Sequence, residues 1–362
     1  MSDVGVSDFS GRSPLLTVEA LATSFRTSRG LLRAVDGVSF SLAAGETMGI
    51  VGESGSGKSV LVRSIMNLLP RTATVEGRVL FEGRDVRSLP AAERKHFWGP
   101  QMAMVFQDPM TSLNPVKKVG RQIIDPLRYH LNLPAAMARR RALELLDLVR
   151  IPEADRRLGQ YPHELSGGMR QRVVIAIALS CSPKLLIADE PTTALDVTVQ
   201  KQILDLLASL QRELHMAMIL ITHDLGVVAG RAGRIAVMYA GQIVEEADTR
   251  ALFAQMRHPY TEALLASIPR IEYESHTRLE AIWGRPPDMV HPPAGCRFAP
   301  RCRYAQPRCL DDQPPLVSAT YSDHRFACFF PAGTPEGEAA RAANAAAGLV
   351  VAASELRDEV VS

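Results

Sequence analysis

One octapeptide restricts the fold of this chain more than any other feature. Gly52-Glu53-Ser54-Gly55-Ser56-Gly57-Lys58-Ser59 satisfies the pattern Gly-x4-Gly-Lys-Ser at every place. It follows an apolar strand-like run, Thr47 to Val51, and opens a helix expected from about 58 to 69. The glycines let backbone N–H groups wrap phosphates, and the start of the following helix adds a positive dipole. Lys58 offers a cation to β- and γ-phosphates, and the Ser59 hydroxyl can bind Mg²⁺. A chance glycine-rich turn would lack this strand–loop–helix context. The chain is therefore expected to take ATP and Mg²⁺. Alternating strands and helices between 184 and 245 add an expectation of an α/β fold with a mostly parallel sheet.

Further segments extend the same chemistry. Leu185-Leu-Ile-Ala-Asp189-Glu190 is an apolar strand that ends in two acids, a costly arrangement for a buried strand unless the charges have partners. Asp189 is placed to hold Mg²⁺, and Glu190 to orient or deprotonate an attacking water. Ser166-Gly167-Gly168-Met169 opens a second helix, expected from Arg170 to Cys181, and so offers a second helix N-terminus to an anion. Taken alone, it reads rather as an ordinary Ser-Gly helix cap. One ATP does not need two cradles from one chain, so a dimer in which this element closes on the partner's nucleotide is the economical explanation.

These residues resemble the nucleotide-binding subunits of ABC transporters. The phosphate loop, Gln107 within Val105-Phe-Gln-Asp-Pro109, the Ser-Gly-Gly signature, the Asp-Glu strand end, Ala194-Leu-Asp196 and His223 stand in the family's order and approximate spacing. The resemblance covers roughly residues 14–255. It implies that Gln107 senses Mg²⁺ and the permease, that Asp196 crosses the dimer, that His223 contacts the γ-phosphate, and that Phe25 stacks on adenine. An aromatic at Phe25 could equally be core. One departure is Met169, where the family usually has Gln; hydrolysis is expected to survive because Ser166 and Gly168 remain.

Three more segments narrow the resemblance. Asp108-Pro-Met-Thr-Ser-Leu-Asn-Pro115, His258-Pro-Tyr-Thr261 and Pro292-Pro-Ala-Gly-Cys296 look like the ATP-binding subunits of oligopeptide, dipeptide and nickel importers. The resemblance implies a second, related ATPase subunit, two membrane permeases and an extracytoplasmic solute-binding protein. Four of the five cysteines, Cys296, Cys302, Cys309 and Cys328, lie in this part among prolines and arginines. Four thiolates suit Zn²⁺ or an iron–sulfur cluster, although zinc sites usually show tighter Cys pairs. Two disulfides would be disfavoured in a reducing compartment. The resemblance tips the expectation to a structural 4Fe-4S cluster, with His324 as a substitute ligand. Cys181, inside an apolar helix, reads as simple packing.

With 362 residues, the chain is long enough for more than one domain. Residues 1–13 are expected to be disordered, 14–255 to form the ATPase domain with a helical subdomain at about 110–180, 256–331 a small irregular domain with the four-Cys site, and 332–362 an Ala-rich tail. The formal net charge of +2 gives no case for a general nucleic-acid binder, and Arg139-Arg140-Arg141 reads as a solvated helix face. No stretch approaches the ~20 apolar residues of a membrane span, and the polar N-terminus is unlike a signal peptide. The expectation is a peripheral protein on the cytoplasmic face of the cell membrane. The rival reading is a soluble ABC protein acting on ribosomes or nucleic acid, which usually carries two ATPase modules rather than one.

Overall fold

The computed structural model describes residues 14–193, 195–268, 282–319 and 323–348. The expectations for residues 1–13, for Ala194 and for the end of the tail fall outside the described residues.

Two sheets organise the chain. The smaller is antiparallel, with β1 (Pro14–Thr27), β2 (Gly30–Ala43), β4 (Ala73–Phe81) and β5 (Arg84–Asp85) in the order β2-β1-β4-β5. The larger has eight strands in the order β11-β12-β10-β9-β3-β8-β7-β6. Its centre is parallel and comprises β3 (Thr47–Val51), β6 (Met102–Val105), β7 (Leu185–Asp189), β8 (Ala217–Thr222) and β9 (Arg234–Tyr239). β10 (Gln242–Asp248) runs antiparallel to β9, and two short strands, β11 (Val317–Ser318) and β12 (Arg325–Phe326), extend that edge.

The parallel strands are buried on both faces, so they read as unbroken apolar runs rather than as alternating ones. The period of two shows in where their side chains go. Leu186 and Ala188, Met218 and Leu220, Ile235 and Val237 join one core, and Val51 joins the same core. Their neighbours Leu185 and Ile187, Ile219 and Ile221, Ala236 and Met238 join the other, with Met48 and Ile50. The first core also takes the helical region, through Ile123 and Leu127 of the Val119–Leu131 helix, Ala138, Ala142 and Leu145 of the Ala135–Leu148 helix, and Val173 and Ile175 of the Gly167–Leu179 helix. The second takes the antiparallel sheet, through Leu16, Val18, Phe40 and Phe81.

The first two strands are longer than the apolar runs Leu15–Val18 and Val38–Leu42 suggest. Each has fourteen residues, and only their tips, Arg26 to Leu31 around the Thr27–Gly30 turn, are exposed throughout. Pairing holds them as strand, with register shifts near Ala20, where φ is 45°. The helix after the phosphate loop is also shorter than expected, Lys58–Ile65. The arginine run lies on the outside of the Ala135–Leu148 helix, with Arg139 paired to Asp155 and Arg141 to Glu144.

The chain beyond 255 is tied to this framework. Tyr260, Leu264 and Phe298 are buried in the first core. β12 pairs with β10 at Glu245 and Glu246, two fully buried acids. Glu245 accepts from His324 Nε2 at 2.6 Å and from the N–H groups of Arg257 and His258. Glu246 is gripped by Arg325 and Arg234. Arg234 also donates to Glu46 at 2.9 Å and to the carbonyl of Ser41 in β2, so one guanidinium ties both sheets together.

Candidate functional site

Ligands of open α/β sheets bind beyond the carboxyl ends of the strands. That is where the phosphate loop leaves β3, Asp189 ends β7, His223 follows β8 and Gln107 lies just past β6. The expected site residues therefore come together through strand order, not through sequence.

The loop needs its glycines for space and for backbone angle. A Cβ on Gly52 would sit 2.1 Å from the carbonyl of Met238, and one on Gly57 2.2 Å from that of Ala34. Gly55 and Gly57 have φ of 81° and 100°, the left-handed region that side chains avoid. Ser56 is buried and its carbonyl accepts from the N–H of Gly241, while Ser54 and Gly55 face solvent. Lys58 Nζ donates to the carbonyls of Gly52 at 2.7 Å and Glu53 at 2.9 Å and reaches Ser56 Oγ at 3.3 Å. Burial lowers the Lys58 ammonium pKa, against the opposing pull of Glu190, Asp189 and Glu53.

Asp189 is fully buried, and burial raises its carboxyl pKa. Ser59 Oγ donates to its Oδ1 at 2.9 Å, while its Oδ2 is buried without a hydrogen-bond partner. An orphaned carboxylate oxygen beside a serine hydroxyl is an all-oxygen donor set, the kind Mg²⁺ takes. Glu190 follows, at φ 44°, with its N–H bonded to the carbonyl of Ile221 at the end of β8. Its Oε2 accepts from Thr193 Oγ1 at 2.7 Å and Gln107 Nε2 at 3.1 Å, and lies 3.4 Å from His223 Nδ1. The three predicted catalytic residues thus meet at one carboxylate oxygen.

The signature lies elsewhere on the surface. Ser166 caps the Gly167–Leu179 helix, accepting from the N–H of Met169 at 3.4 Å. Asp196 caps the Val197–Glu213 helix, accepting from the N–H of Val199 at 3.0 Å. The two helix starts touch, since a Cβ on Gly168 would meet Val199 Cγ1 at 2.7 Å. Ser166, Gly167 and Asp196 are exposed, and Val197 is 83% exposed. Met169 packs against the first core, which gives an apolar residue a place there. Phe25 is half-buried in β1, paired with Leu32 and Ala73.

The four clustered cysteines line one cavity, with Phe298 and Phe330 among its other walls. All are free thiols, and the N–H of Cys296 donates to the carbonyl of Cys309 at 2.8 Å. Burial raises the thiol pKa values of Cys296, Cys302 and Cys328, the last to about 12. Among the described residues, no group of three or more His, Cys, Asp or Glu is gathered to hold a metal ion. The expected Zn²⁺ or 4Fe-4S ligand set is thus not supported by the described residues, which show four thiols lining one cavity and no gathered metal-binding group. His324 is engaged by Glu245 instead of the cysteines. Cys181 is buried as expected, just past the end of its helix.

Sequence reasoning missed Glu53, Tyr260 and Arg301. Arg301 grips both Glu53 oxygens, at 2.6 and 3.0 Å, and the Glu53 N–H donates to Tyr260 Oη at 2.8 Å. The only available signal was a charged residue inside the phosphate loop.

Comparison with known proteins places the chain. Residues 35–193 match the ABC transporter family model, and residues 244–309 match the model for the oligopeptide/dipeptide transporter C-terminal region. The chain is 52% identical over 308 residues to the oligopeptide transport ATP-binding protein OppD of Bacillus subtilis, covering 84% of this chain and 86% of that one. The chain belongs to the ABC transporter family, in its oligopeptide/dipeptide branch. The OppD of Escherichia coli is a further relative of this ABC protein, 50% identical over 317 residues, with 88% of this chain and 93% of that one covered. Among solved structures, the ATP-binding cassette MJ0796, in a dimeric post-hydrolysis state bound to ADP and Pi, matches with a TM-score of 0.58 and 29% identity. That match covers 65% of this chain and 99% of the other. Among the described residues, no helix is long and apolar enough to cross a membrane.

Proposed function

We propose that this ABC protein is the ATP-hydrolysing subunit of an importer for di- or oligopeptides, with nickel or a related small solute as the alternative cargo. The observation that carries the hydrolytic part is the convergence of Gln107, Thr193 and His223 on Glu190, one residue beyond the Asp189–Ser59 pair. The cargo rests on the names of the relatives and on the matched C-terminal region. In this reading, residues 14–255 form the ATPase unit and 256–331 an accessory unit.

Gly52, Ser54, Gly55, Ser56 and Gly57 present the loop to the phosphates, and Lys58 supplies a cation. Ser59 and Asp189, with Gln107 nearby, would hold Mg²⁺, which neutralises charge on the β- and γ-phosphates when bound. Glu190 takes a proton from the attacking water, and His223 faces the γ-phosphate. Phe25 stacks on the adenine. Ser166, Gly167, Gly168 and Asp196 close on the nucleotide of a second, related ATPase subunit, a reading supported by the exposure of Ser166, Gly167 and Asp196. The complete assembly adds two permeases and an extracytoplasmic solute-binding protein, with this chain peripheral on the cytoplasmic face.

The four-cysteine cavity is where the resemblance places a 4Fe-4S cluster, with Zn²⁺ as the alternative. What supports a metal group is that four free thiols meet at one cavity in a proline-rich segment that builds little core of its own. Iron, sulfide and zinc counted per chain on protein purified without oxygen decide between cluster, zinc and packing. The transport reading is tested in cells whose only copy carries Lys58→Ala. They should lose uptake of a labelled tripeptide, and unchanged uptake would overturn the reading.

A further inference from the structure

Glu53 poses an electrostatic problem. Its carboxylate lies inside a loop whose function, in the reading above, is to hold a polyphosphate, and a bare negative charge there opposes the ligand. It also acts on Lys58, the cation of the same loop. The structure answers with Arg301, whose side chain is only 3% exposed. Its two terminal nitrogens take both Glu53 oxygens in a fork, the strongest and most directional form of this pair. Arg301 is itself aimed by the carbonyls of Trp283 at 2.7 Å and Ile282 at 3.3 Å, and it lies near the rings of Tyr239 and Phe298.

The backbone of Glu53 is held as well. Its N–H donates to Tyr260 Oη, from a tyrosine with no exposed surface, and its carbonyl accepts from Lys58 Nζ. Each polar group of this loop residue is therefore fixed, two of the three by side chains from beyond residue 255. Arg301 ends the short Ala299–Arg301 turn that leads straight into Cys302.

We propose that Arg301 and Tyr260 are positioning residues for the phosphate loop: Arg301 masks the Glu53 charge, Tyr260 anchors the Glu53 backbone, and nucleotide affinity thereby depends on the four-cysteine segment. The inference rests on the nucleotide site proposed above. It adds a route by which disturbance of the C-terminal part reaches ATP binding without any residue of that part touching ATP.

The test is ATP affinity of the full-length chain, measured with a fluorescent ATP analogue and competing ATP, beside KM and kcat for hydrolysis. Arg301→Ala should weaken ATP binding about tenfold, the order of one uncompensated charge in a partly buried site, with kcat at saturation largely retained. Adding Glu53→Gln to Arg301→Ala should restore most of the affinity, which a merely structural role for Arg301 would not produce. Arg301→Lys should fall between, since it keeps the charge and loses the fork. Unchanged affinity in Arg301→Ala, or no rescue by Glu53→Gln, would overturn the proposal. Should Arg301→Ala not fold, Tyr260→Phe carries the test by removing one hydroxyl; a severalfold rise in Kd and KM supports the anchor, and wild-type values overturn it. Lys58→Ala measured alongside separates the two levels. If it binds ATP normally, the nucleotide-site reading falls; if it loses ATP while the clamp variants do not, only the clamp falls.

Discussion

Replacing Glu190 by Gln is the sharpest probe of the hydrolytic site, because the two side chains have the same shape and differ in one function. The Glu190 side chain is 12% exposed and is held by Thr193 and Gln107, with His223 beside it. Gln retains an acceptor oxygen for Thr193 and Gln107, so its geometry should persist. What is lost is the capacity to take a proton, a contribution of about 10²–10⁴ in rate. At about 1.4 kcal/mol per factor of ten, that is roughly 3–5 kcal/mol of barrier. Binding should respond in the opposite direction. The Glu190 charge acts on both Lys58 and Asp189, and removing it takes one negative charge away from a site for an anion. The expected pattern is therefore a kcat lowered at least about a hundredfold, with ATP held as tightly as in the wild type or more tightly. Phosphate release under saturating ATP, ATP-analogue titration and size-exclusion chromatography with ATP report the three quantities. A dimer that persists with ATP fits the trapped state. A kcat near the wild-type value would sink the assignment of Glu190 as the base, and a parallel loss of binding would show that the substitution had damaged the site.

Two further outcomes test the framework. Arg234→Met leaves Glu246 with one of its two arginines and abandons Glu46 and the Ser41 carbonyl, so it should cost about 3 kcal/mol in urea unfolding. Adding Glu246→Gln should recover part of that loss, and a cost below about 1 kcal/mol would show that the two-sheet tie is dispensable. Gly295→Ala would put a Cβ 2.4 Å from the carbonyl of Cys309, breaking the Cys296–Cys309 backbone bond. Trypsin should then cut rapidly among Arg297, Arg301 and Arg308, and wild-type resistance would contradict the packing described.

What could be read in the sequence was local. The Gly52–Ser59 loop, the Asp189–Glu190 strand end and the Ser166 cap each specify their chemistry within a few residues, and the parallel strands announce themselves because both faces are buried. Their convergence rests on the order β3-β8-β7-β6, which no single segment encodes; the family resemblance supplied it. The extension of β1 and β2 past their apolar runs is not legible because register shifts around Leu21 and Thr23 and polar residues such as Ser24 and Arg33 among apolar ones blur the period of two. The Glu53–Arg301 pair spans 248 positions, and an arginine among cysteines and prolines carries no mark of where it will reach. The cysteines were legible as a group, but spacing alone does not fix how far apart four thiols stand around a cavity.

The short pairing of β12 with β10 has a consequence for solubility. A strand edge left bare is a template for another chain, and two-residue strands are a modest cover for it. Here the cover also delivers His324 and Arg325 to the two buried acids of β10. A chain cut before residue 317 would lose both at once, presenting an open edge whose two buried carboxylates have each lost a hydrogen-bond partner. Such a shortened protein should aggregate through β10 even though every residue of the nucleotide site is still present.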